Sequence, residues 1–532
     1  MTSIVAPVFV RSVETALPVL QAAITQGADM LELRCDEARR EVVEQILTRP
    51  EVRCKPVILT IRAKAEGGSF AGTESERLQL IRHACGLCPD YVDIEYDTWR
   101  KNPEFAGEIL PLLAATDDPA EKKTKLILSN HDFLSRPTDL HQRLLDMAAT
   151  APVRIVKAAY KARNLTDALE ALRLYRELPK AIRQSLVIIA MGEAGMITRI
   201  LAAKYNAAFT FAVPAGGATT APGQPTILEL IHTCRFKHQQ RDWPVYGVVG
   251  WPVAHSISPV IHNSGFGSID FPGVYVPLPI EPDYEAFRTI VTAMRELRDF
   301  NLRGLSVTIP HKANAVRYLQ SQSGLLDDTS ARIGVINTLY FPQQGPIRGT
   351  NSDWSGAIEA LRAGTNWSLT DLTHKRVAVL GAGGAARAIV AGLATLGSTV
   401  IIYNRTLKRA QELAHEFNGK TGSVSAAQLD EFGNTHCHVV INCTPAGMSP
   451  DVKAIPVDNI SAIDSSMVVF DTVYNPRRTR FLQAAAERGA KTIEGLEMLL
   501  RQAVVQFEGF TGQSAPLAIM RVAAEAALDR KS

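Results

Sequence analysis

No run of the 532 residues is apolar for long enough to cross a bilayer. The chain also lacks net charge: 57 Lys and Arg against 54 Asp and Glu leave +3. A chain so balanced has no general attraction to nucleic acid or to a membrane surface, so any basic character is local, at sites that hold anions. A disulfide framework is missing too. The seven cysteines are odd in number and follow no framework spacing, which predicts reduced thiols and a cytoplasmic location. Cys85 and Cys88 have C-x-x-C spacing but lie in a helix-like run with no second pair, and read as buried thiols rather than a metal or redox site. The first residues, MTSIVAPVFV, carry no positive segment and enter a strand-like run at once, unlike a signal or transit peptide. Internal repeats and low-complexity tracts are absent as well.

What is present is an ordinary globular composition, 46% hydrophobic and 21% charged. The length predicts roughly three to four domain-sized units. Through residue 235, β-rich runs alternate with helical patterns: SIVAPVF, DMLELR, KPVILTIR, YVDIEY, KLILSNHD, RIVKAAY, LVIIAMG and FTFAVP, with amphipathic stretches such as TDALEALRLYRELP between them. About eight βα units in this span predict one closed (β/α)8 barrel rather than an open sheet. The polar segment RFKHQQRDWP then reads as a linker, 236–244. A first α/β lobe over 245–360 follows, then a dinucleotide-binding βαβ lobe over 375–495, and helices at 496–532 that return to the first lobe.

Polar residues gather at the ends of the barrel strands. Glu32 and Arg34 end the second run, Arg62 the third, Glu95 the fourth and His131 the fifth, while Lys157 lies in the sixth. Barrel sites form at strand C-termini, so these groups converge on one pocket. Lys157 sits in an apolar run with no carboxylate nearby in sequence. Desolvation there favours a neutral amine, a nucleophile, although a lone lysine also reads as one that snorkels to the rim. His131 can move protons, or it can be a satisfied core histidine. Glu66 can orient that ring. Thr220, Gln224 and backbone donors of ATTAPGQ offer an anion site.

The stretches TIR…EGG, NHDF, VKAAY, MGEAG-x-x-TR and TAPGQ, in this order and spacing, resemble type I 3-dehydroquinate dehydratases over residues 1–235. The resemblance implies that Lys157 forms a Schiff base with the substrate ketone and that His131, held by Glu66, removes the adjacent proton and returns it to the departing hydroxyl. It assigns Arg199, Gln224 and Thr220 to the substrate carboxylate, and Glu32, Arg34 and Arg62 to ring hydroxyls. Thr198 and Thr220 stand where serine is commoner in that family, and each keeps a hydroxyl.

In the second half, Gly381, Ala382, Gly383, Gly384, Ala385 and Ala386 form a G-x-G-x-x-A turn between a strand and a helix, the setting in which a pyrophosphate meets backbone N–H groups. The next strand ends in Asn404, Arg405 and Thr406 rather than in an acid. With Arg409, Arg405 attracts a 2′-phosphate, which predicts NADP over NAD. Earlier segments supply Ser256 and Ser258 (AHSISP), Thr308 and Lys312 (SVTIPHK), Asn337 (GVINTLY) and Asp353 (GTNSDWSG). Singly each is unremarkable.

Together with INCTPAGM, FDTVYNP and the closing helix, they resemble shikimate dehydrogenase over 245–532. The resemblance makes Lys312 and Asp353 the pair that moves the proton while hydride passes from NADPH. It assigns Ser256 and Ser258 to the substrate carboxylate, and Thr308, Asn337, Tyr474, Gln502 and Gln506 to hydroxyls; Met448 falls on the cofactor side. Ser306, where stand-alone bacterial enzymes often have asparagine, makes the chain look like the fused, plant-type enzymes, and Ser352 replaces a threonine. The implied activity is dehydration of 3-dehydroquinate followed by reduction of 3-dehydroshikimate. Rival readings are a fused quinate dehydrogenase and a non-catalytic metabolite sensor, but the latter sits badly with the survival of Lys157, His131, Lys312 and Asp353.

Overall fold

All eight runs read as barrel strands are strands in the computed structural model, which describes residues 1–114, 123–218, 223–419 and 422–530. They are β1 (Ser3–Phe9), β2 (Met30–Arg34), β3 (Val57–Thr60), β4 (Tyr91–Glu95), β5 (Lys125–Asp132), β6 (Val153–Lys161), β7 (Leu186–Met191) and β8 (Phe209–Phe211). Their sheet has the order β7-β6-β5-β4-β3-β2-β1-β8. Ala208 N–H, just ahead of β8, donates to the Leu186 carbonyl at the start of β7 (3.0 Å), which brings the two ends of the sheet together. The result is a nearly closed parallel barrel, built as expected from βα units.

Alternation along the strands explains how this barrel holds both a core and a site. Residues two apart share a face. On the inner face Met30, Ile58, Ile127, Ile155, Val187 and Phe209 pack as an apolar plug with Val5. One step further along, the same face changes character on five neighbouring strands. Met30 is followed by Glu32 and Arg34, Ile58 by Thr60, Tyr91 by Asp93 and Glu95, Ile127 by Ser129 and His131, and Ile155 by Lys157. On β7 and β8 it stays apolar through Ile189, Met191 and Phe211. The polar pocket is therefore lined by charge on one side and hydrocarbon on the other.

The segment read as a polar linker is anchored rather than loose. Phe236 is fully buried and Trp243 nearly so. Arg235 lies 4.6 Å from the Trp243 ring centroid, and the Lys204 ammonium donates to the carbonyls of Arg241 and Trp243 at 2.6 Å each. By compactness the chain divides into Met1–Val245 with Pro272–Glu281 and Arg288–Leu302, and a second unit of Tyr246–Phe271, Pro282–Phe287 and Arg303–Ser532.

Downstream of the barrel, β9 (Val245–Gly250), β10 (Val274–Pro279), β11 (Leu302–Val307), β12 (Leu325–Leu326), β13 (Thr338–Tyr340) and β14 (Arg348–Thr350) form a mixed sheet of order β10-β9-β11-β13-β14-β12. The last sheet comprises β15 (Arg376–Leu380), β16 (Thr399–Asn404), β17 (Ser423–Gln428), β18 (Val439–Asn442), β19 (Val468–Asp471) and β20 (Lys491–Ile493). Its order, β17-β16-β15-β18-β19-β20 with every pair parallel, is that of a doubly wound dinucleotide-binding sheet. The closing helix Gly495–Thr511 packs along the helix Asp353–Thr365. Gly356 permits this approach, since a Cβ there would lie 3.0 Å from the Gln502 backbone nitrogen.

The plug predicts a local cost. Phe209→Ala removes a ring that is 2% exposed, and should lower barrel stability by about 3–5 kcal/mol. Denaturant unfolding followed by far-UV circular dichroism checks it. A loss under about 1 kcal/mol, the scale of a surface change, contradicts the plug.

Candidate active sites

In the barrel, the EGG turn carries Glu66. The short helix Lys64–Glu66 ends at Gly67 with φ 81°, and a Cβ on Gly68 would sit 1.8 Å from the Arg62 carbonyl oxygen. Only two glycines let the chain fold back here. The turn aims Glu66 at His131: Oε2 accepts the His131 backbone N–H at 2.8 Å and lies 2.9 Å from Nδ1. Burial pushes the Glu66 carboxyl up to about 7, against the pull of the Arg62 charge. Burial, reinforced by the charges of Arg62 and Lys157, drives His131 well below the ordinary imidazole range. A neutral ring that donates from Nδ1 keeps its acceptor lone pair on Nε2, the arrangement of a general base.

Lys157 is 5% exposed, and its expected isolation from carboxylates is corrected by the fold. Asp93, on β4, accepts from its ammonium at 2.8 Å, and the Phe211 ring centroid is 4.7 Å away. Sequence distance hid the partner, which is 64 residues away. Burial alone would raise Asp93, but the Arg62 guanidinium and then the Lys157 ammonium outweigh it and hold the carboxyl far below its usual range. Arg62 reaches Asp93 at 2.9 Å, Glu95 at 3.0 Å and the Ser129 hydroxyl at 2.7 Å. This is the guanidinium expected to meet ring hydroxyls, and the net holds it in the pocket beside Lys157. Glu32 accepts from the Thr60 hydroxyl at 2.8 Å, and Arg34 pairs with Asp36 at 2.6 Å.

Arg199 differs from every other barrel cation. It is 2% exposed, and its Nε and one terminal nitrogen have no hydrogen-bond partner among the described residues. Burial lowers it to about 10. A buried, unanswered guanidinium is costly unless an anion completes it. Gln224 follows Gly223 (φ 71°), whose Cβ would lie 2.6 Å from the Gly192 carbonyl oxygen, so this loop crosses the turn leading to Arg199. Thr220 lies outside the described residues. The Thr198 hydroxyl donates to the Gly195 carbonyl at 2.8 Å, a local structural bond.

The second unit contains another lysine–aspartate pair. Lys312 begins the helix Lys312–Ser321, Asp353 begins the helix Asp353–Thr365, and the ammonium donates to Asp353 Oδ2. Asn337 Nδ2 donates to Asp353 Oδ1 (2.8 Å), to the Ser352 hydroxyl (3.0 Å) and to Gln502 Oε1 (3.0 Å). Gln506 accepts from the Ser306 hydroxyl at 2.7 Å and donates to Thr338 at 3.0 Å. The closing helix therefore delivers both glutamines to this net. Ser256 and Thr308 lie past the ends of β9 and β11, which run so close that a Cβ on Gly250 would meet Thr308 Cγ2 at 2.4 Å. Ser258 N–H donates to the Ser256 hydroxyl at 3.2 Å. Tyr474, half-buried beyond β19 with its phenol raised by burial, has no hydrogen bond in the Asn337 net among the described residues.

At the nucleotide turn, Gly381 has φ 104°, and a Cβ on Gly383 would meet nothing within 4 Å. The helix Gly384–Leu396 starts there, with Ala386 fully buried against the sheet. Arg405 and Arg409 are exposed beyond β16, Asn404 Nδ2 donates to the Thr406 carbonyl at 2.9 Å, and Met448 is exposed. An open glycine at a helix N-terminus, with two exposed cations after the next strand, fits a dinucleotide bearing an extra phosphate. Asp93, Ser129, Asp36 and Asn351 escaped the sequence reading. Asp93 alone had a signal there, since YVDIEY puts it two residues from Glu95 and so on the same face.

A lysine-bearing barrel on one chain with a two-lobed, dinucleotide-dependent dehydrogenase defines an enzyme with two catalytic centres. The model of type I 3-dehydroquinase matches residues 4–241. Shikimate dehydrogenase models match as well: the substrate binding domain over 248–339, shikimate/quinate 5-dehydrogenase over 365–483 and the C-terminal domain over 495–525. The chain is 35% identical to the chloroplastic bifunctional 3-dehydroquinate dehydratase/shikimate dehydrogenase of Arabidopsis thaliana over 96% of its own length and 82% of that protein. It is 42% identical to a shikimate dehydrogenase (NADP(+)) of Methanocella arvoryzae over 53% of this chain and 99% of the other. A crystal structure of shikimate 5-dehydrogenase from Thermus thermophilus with NADP(H) and shikimate covers 53% of this chain and 99% of that one, at 32% identity and a TM-score of 0.47. The chain belongs to the family of bifunctional 3-dehydroquinate dehydratase/shikimate dehydrogenases.

The Glu66–His131 geometry predicts a titration. With the Glu66 carboxyl near 7, it is protonated below that pH and ionised above it, while the His131 ring stays neutral throughout. Nitrogen NMR of the imidazole should show a step near pH 7 without imidazolium shifts, and Glu66→Gln should erase the step. Imidazolium forming with an ordinary midpoint of about 6.5 contradicts the assignment.

Proposed function

We propose that the barrel dehydrates 3-dehydroquinate through an imine on Lys157, and that the second unit reduces the product, 3-dehydroshikimate, to shikimate with NADPH. The carrying observation is Lys157 itself: a buried amine against Asp93 on one neighbouring side, with the neutral base His131 on the adjacent strand. After loss of a proton the amine adds to the substrate ketone and water leaves, giving a protonated imine. The positive charge stays where the ammonium was, so Asp93 serves as its counter-ion. The imine draws electrons from the neighbouring carbon, and His131 Nε2 takes the proton released there. The enamine then expels the hydroxyl one carbon further on, His131 protonates it to water, and hydrolysis frees the product. Glu66 holds the ring by Nδ1. Arg199, with Gln224 and Thr220, receives the substrate carboxylate, supplying the anion the guanidinium lacks; Glu32, Arg34 and Arg62 take ring hydroxyls.

In the second unit Ser256 and Ser258 bind the carboxylate, and Thr308, Asn337, Tyr474, Gln502 and Gln506 surround the hydroxyls. The turn Gly381–Ala386, with Asn404, Arg405, Thr406, Arg409 and Met448, holds NADP(H), which when bound supplies the hydride. Lys312 delivers the proton to the developing alkoxide, and Asp353 keeps that ammonium aimed and takes part in its reprotonation. The working division is 1–235, 245–360, 375–495 and 496–532. Free thiols at all seven cysteines support a cytoplasmic location.

Lys157→Ala separates the two activities. It should cut dehydration by about a thousandfold or more, as loss of a nucleophile does, and leave reduction of added 3-dehydroshikimate intact. Borohydride added with 3-dehydroquinate should fix a covalent adduct at Lys157 in the unsubstituted protein. An adduct mapped to Lys161, or a variant that dehydrates normally, puts the imine on the wrong residue.

A further inference from the structure

We infer that Arg387 is a positioning residue for reduction, tying the nucleotide helix to the segment that holds Asn337 and Asp353. The inference rests on the reading of Lys312 and Asp353 as the proton-transfer pair. Arg387 lies in the first turns of the helix Gly384–Leu396, where its N–H bonds back to the Gly383 carbonyl at 2.9 Å. The helix dipole, positive at this end, opposes a cation there. Its own contacts lead elsewhere. Nε donates to the Ile333 carbonyl, a terminal nitrogen pairs with Glu416, and the guanidinium lies 5.4 Å from the Phe417 ring centroid. Glu416 offsets the charge and Phe417 packs against the guanidinium, which leaves the Ile333 bond as the contact directed toward the site.

Ile333 ends the helix Asp328–Ile333, and Gly334 turns the chain with φ 75°. A Cβ on Gly334 would stand 3.0 Å from Arg387 Nη2, so the glycine is what lets the guanidinium lie along this turn. The next residues run straight into the site. The Val335 carbonyl accepts from Asn351 Nδ2 at 2.9 Å, and Asn351 Oδ1 accepts the Asp353 backbone N–H at 2.9 Å. Asn337 then donates to Asp353 Oδ1 at 2.8 Å. From the other side, the Lys312 stem lies over the same helix start, its Cδ 3.5 Å from where a Gly384 Cβ would be. Both members of the pair are thereby referred to the turn that receives the cofactor. Arg387 would thus set where Lys312 and Asp353 stand relative to the turn that receives the cofactor.

Arg387→Met keeps an unbranched stem and removes the donors. Its kcat for 3-dehydroshikimate reduction should fall by about tenfold to a hundredfold, the scale of a small misplacement. The KM for NADPH should stay within about twofold, because no cofactor contact is lost. The solvent deuterium isotope effect on kcat should rise as proton delivery slows, and Arg387→Lys, which retains a donor, should recover most of the rate. An unchanged far-UV circular dichroism spectrum, together with the unchanged KM for NADPH, reports an intact second unit. If Arg387→Met does not fold, Arg387→Leu, which also removes the donors, carries the same expectations. The proposal is overturned by an unchanged kcat, by a loss that saturating NADPH restores, or by a loss with no change in isotope effect. If Lys312→Ala and Asp353→Ala reduce at the normal rate, the pair on which the inference rests falls instead, a result distinct from any of these.

Discussion

A lysine ammonium held against a buried aspartate is the constraint that each half of the chain is built around. In the barrel Asp93 sits between Lys157 and Arg62 and is 1% exposed. Such a carboxylate is costly to bury, and leaving it unpaired would be costlier still. Of the two cations, Arg62 contributes more than Lys157 to holding Asp93 in its ionised form. That matters for chemistry in which the lysine alternates between ammonium, amine and imine. In the second unit Asp353 meets Lys312 instead beside amides, Asn337 and through it Gln502, which hold the carboxylate without competing as cations. The same two residue types are thus set up for bond formation in one place and for proton delivery in the other, and the surroundings decide which.

The pockets around these pairs follow from backbone geometry. Barrel strands put an apolar plug on their inner face first and charge afterwards, so the site has a floor of hydrocarbon and a wall of Phe211, Ile189 and Met191 opposite its charges. That wall lowers the local dielectric and keeps His131 neutral. In the second unit, helix starts supply the geometry. Lys312, Asp353 and Gly384 all stand at or next to a helix N-terminus. Ends of helices are rigid yet open, which suits groups that must meet a ligand from different sides.

Much of this was legible in the residues. Strand alternation located every barrel strand, though FTFAVP overstated β8, which ends at Phe211. Family motifs led to Lys157, His131, Glu66, Lys312 and Asp353, and the first three meet in one place, as do the last two. What stayed hidden was pairing across the barrel. Nothing local links Asp93 to Lys157 or Arg62 to Ser129; only the side-by-side pairing of β3 to β6 does. For the same reason the net that ties Arg62 to Asp93, Glu95 and Ser129 could not be read beside its expected role toward ring hydroxyls. In the segment 236–244 the charged letters masked Phe236 and Trp243, two aromatic anchors whose burial no period reveals. Arg199 was read by motif, yet its strongest property, a buried guanidinium short of partners, belongs to the fold alone.

The central claim is that one chain performs two consecutive reactions in a fixed chemical order. Incubating the purified protein with 3-dehydroquinate, first without and then with NADPH, and identifying the products by mass spectrometry and NMR tests it directly. The account predicts 3-dehydroshikimate alone in the first case and shikimate in the second, with NADPH consumed only after dehydration. Quinate appearing as the product with NADPH, or NADPH oxidised with no 3-dehydroshikimate ever formed, would contradict it.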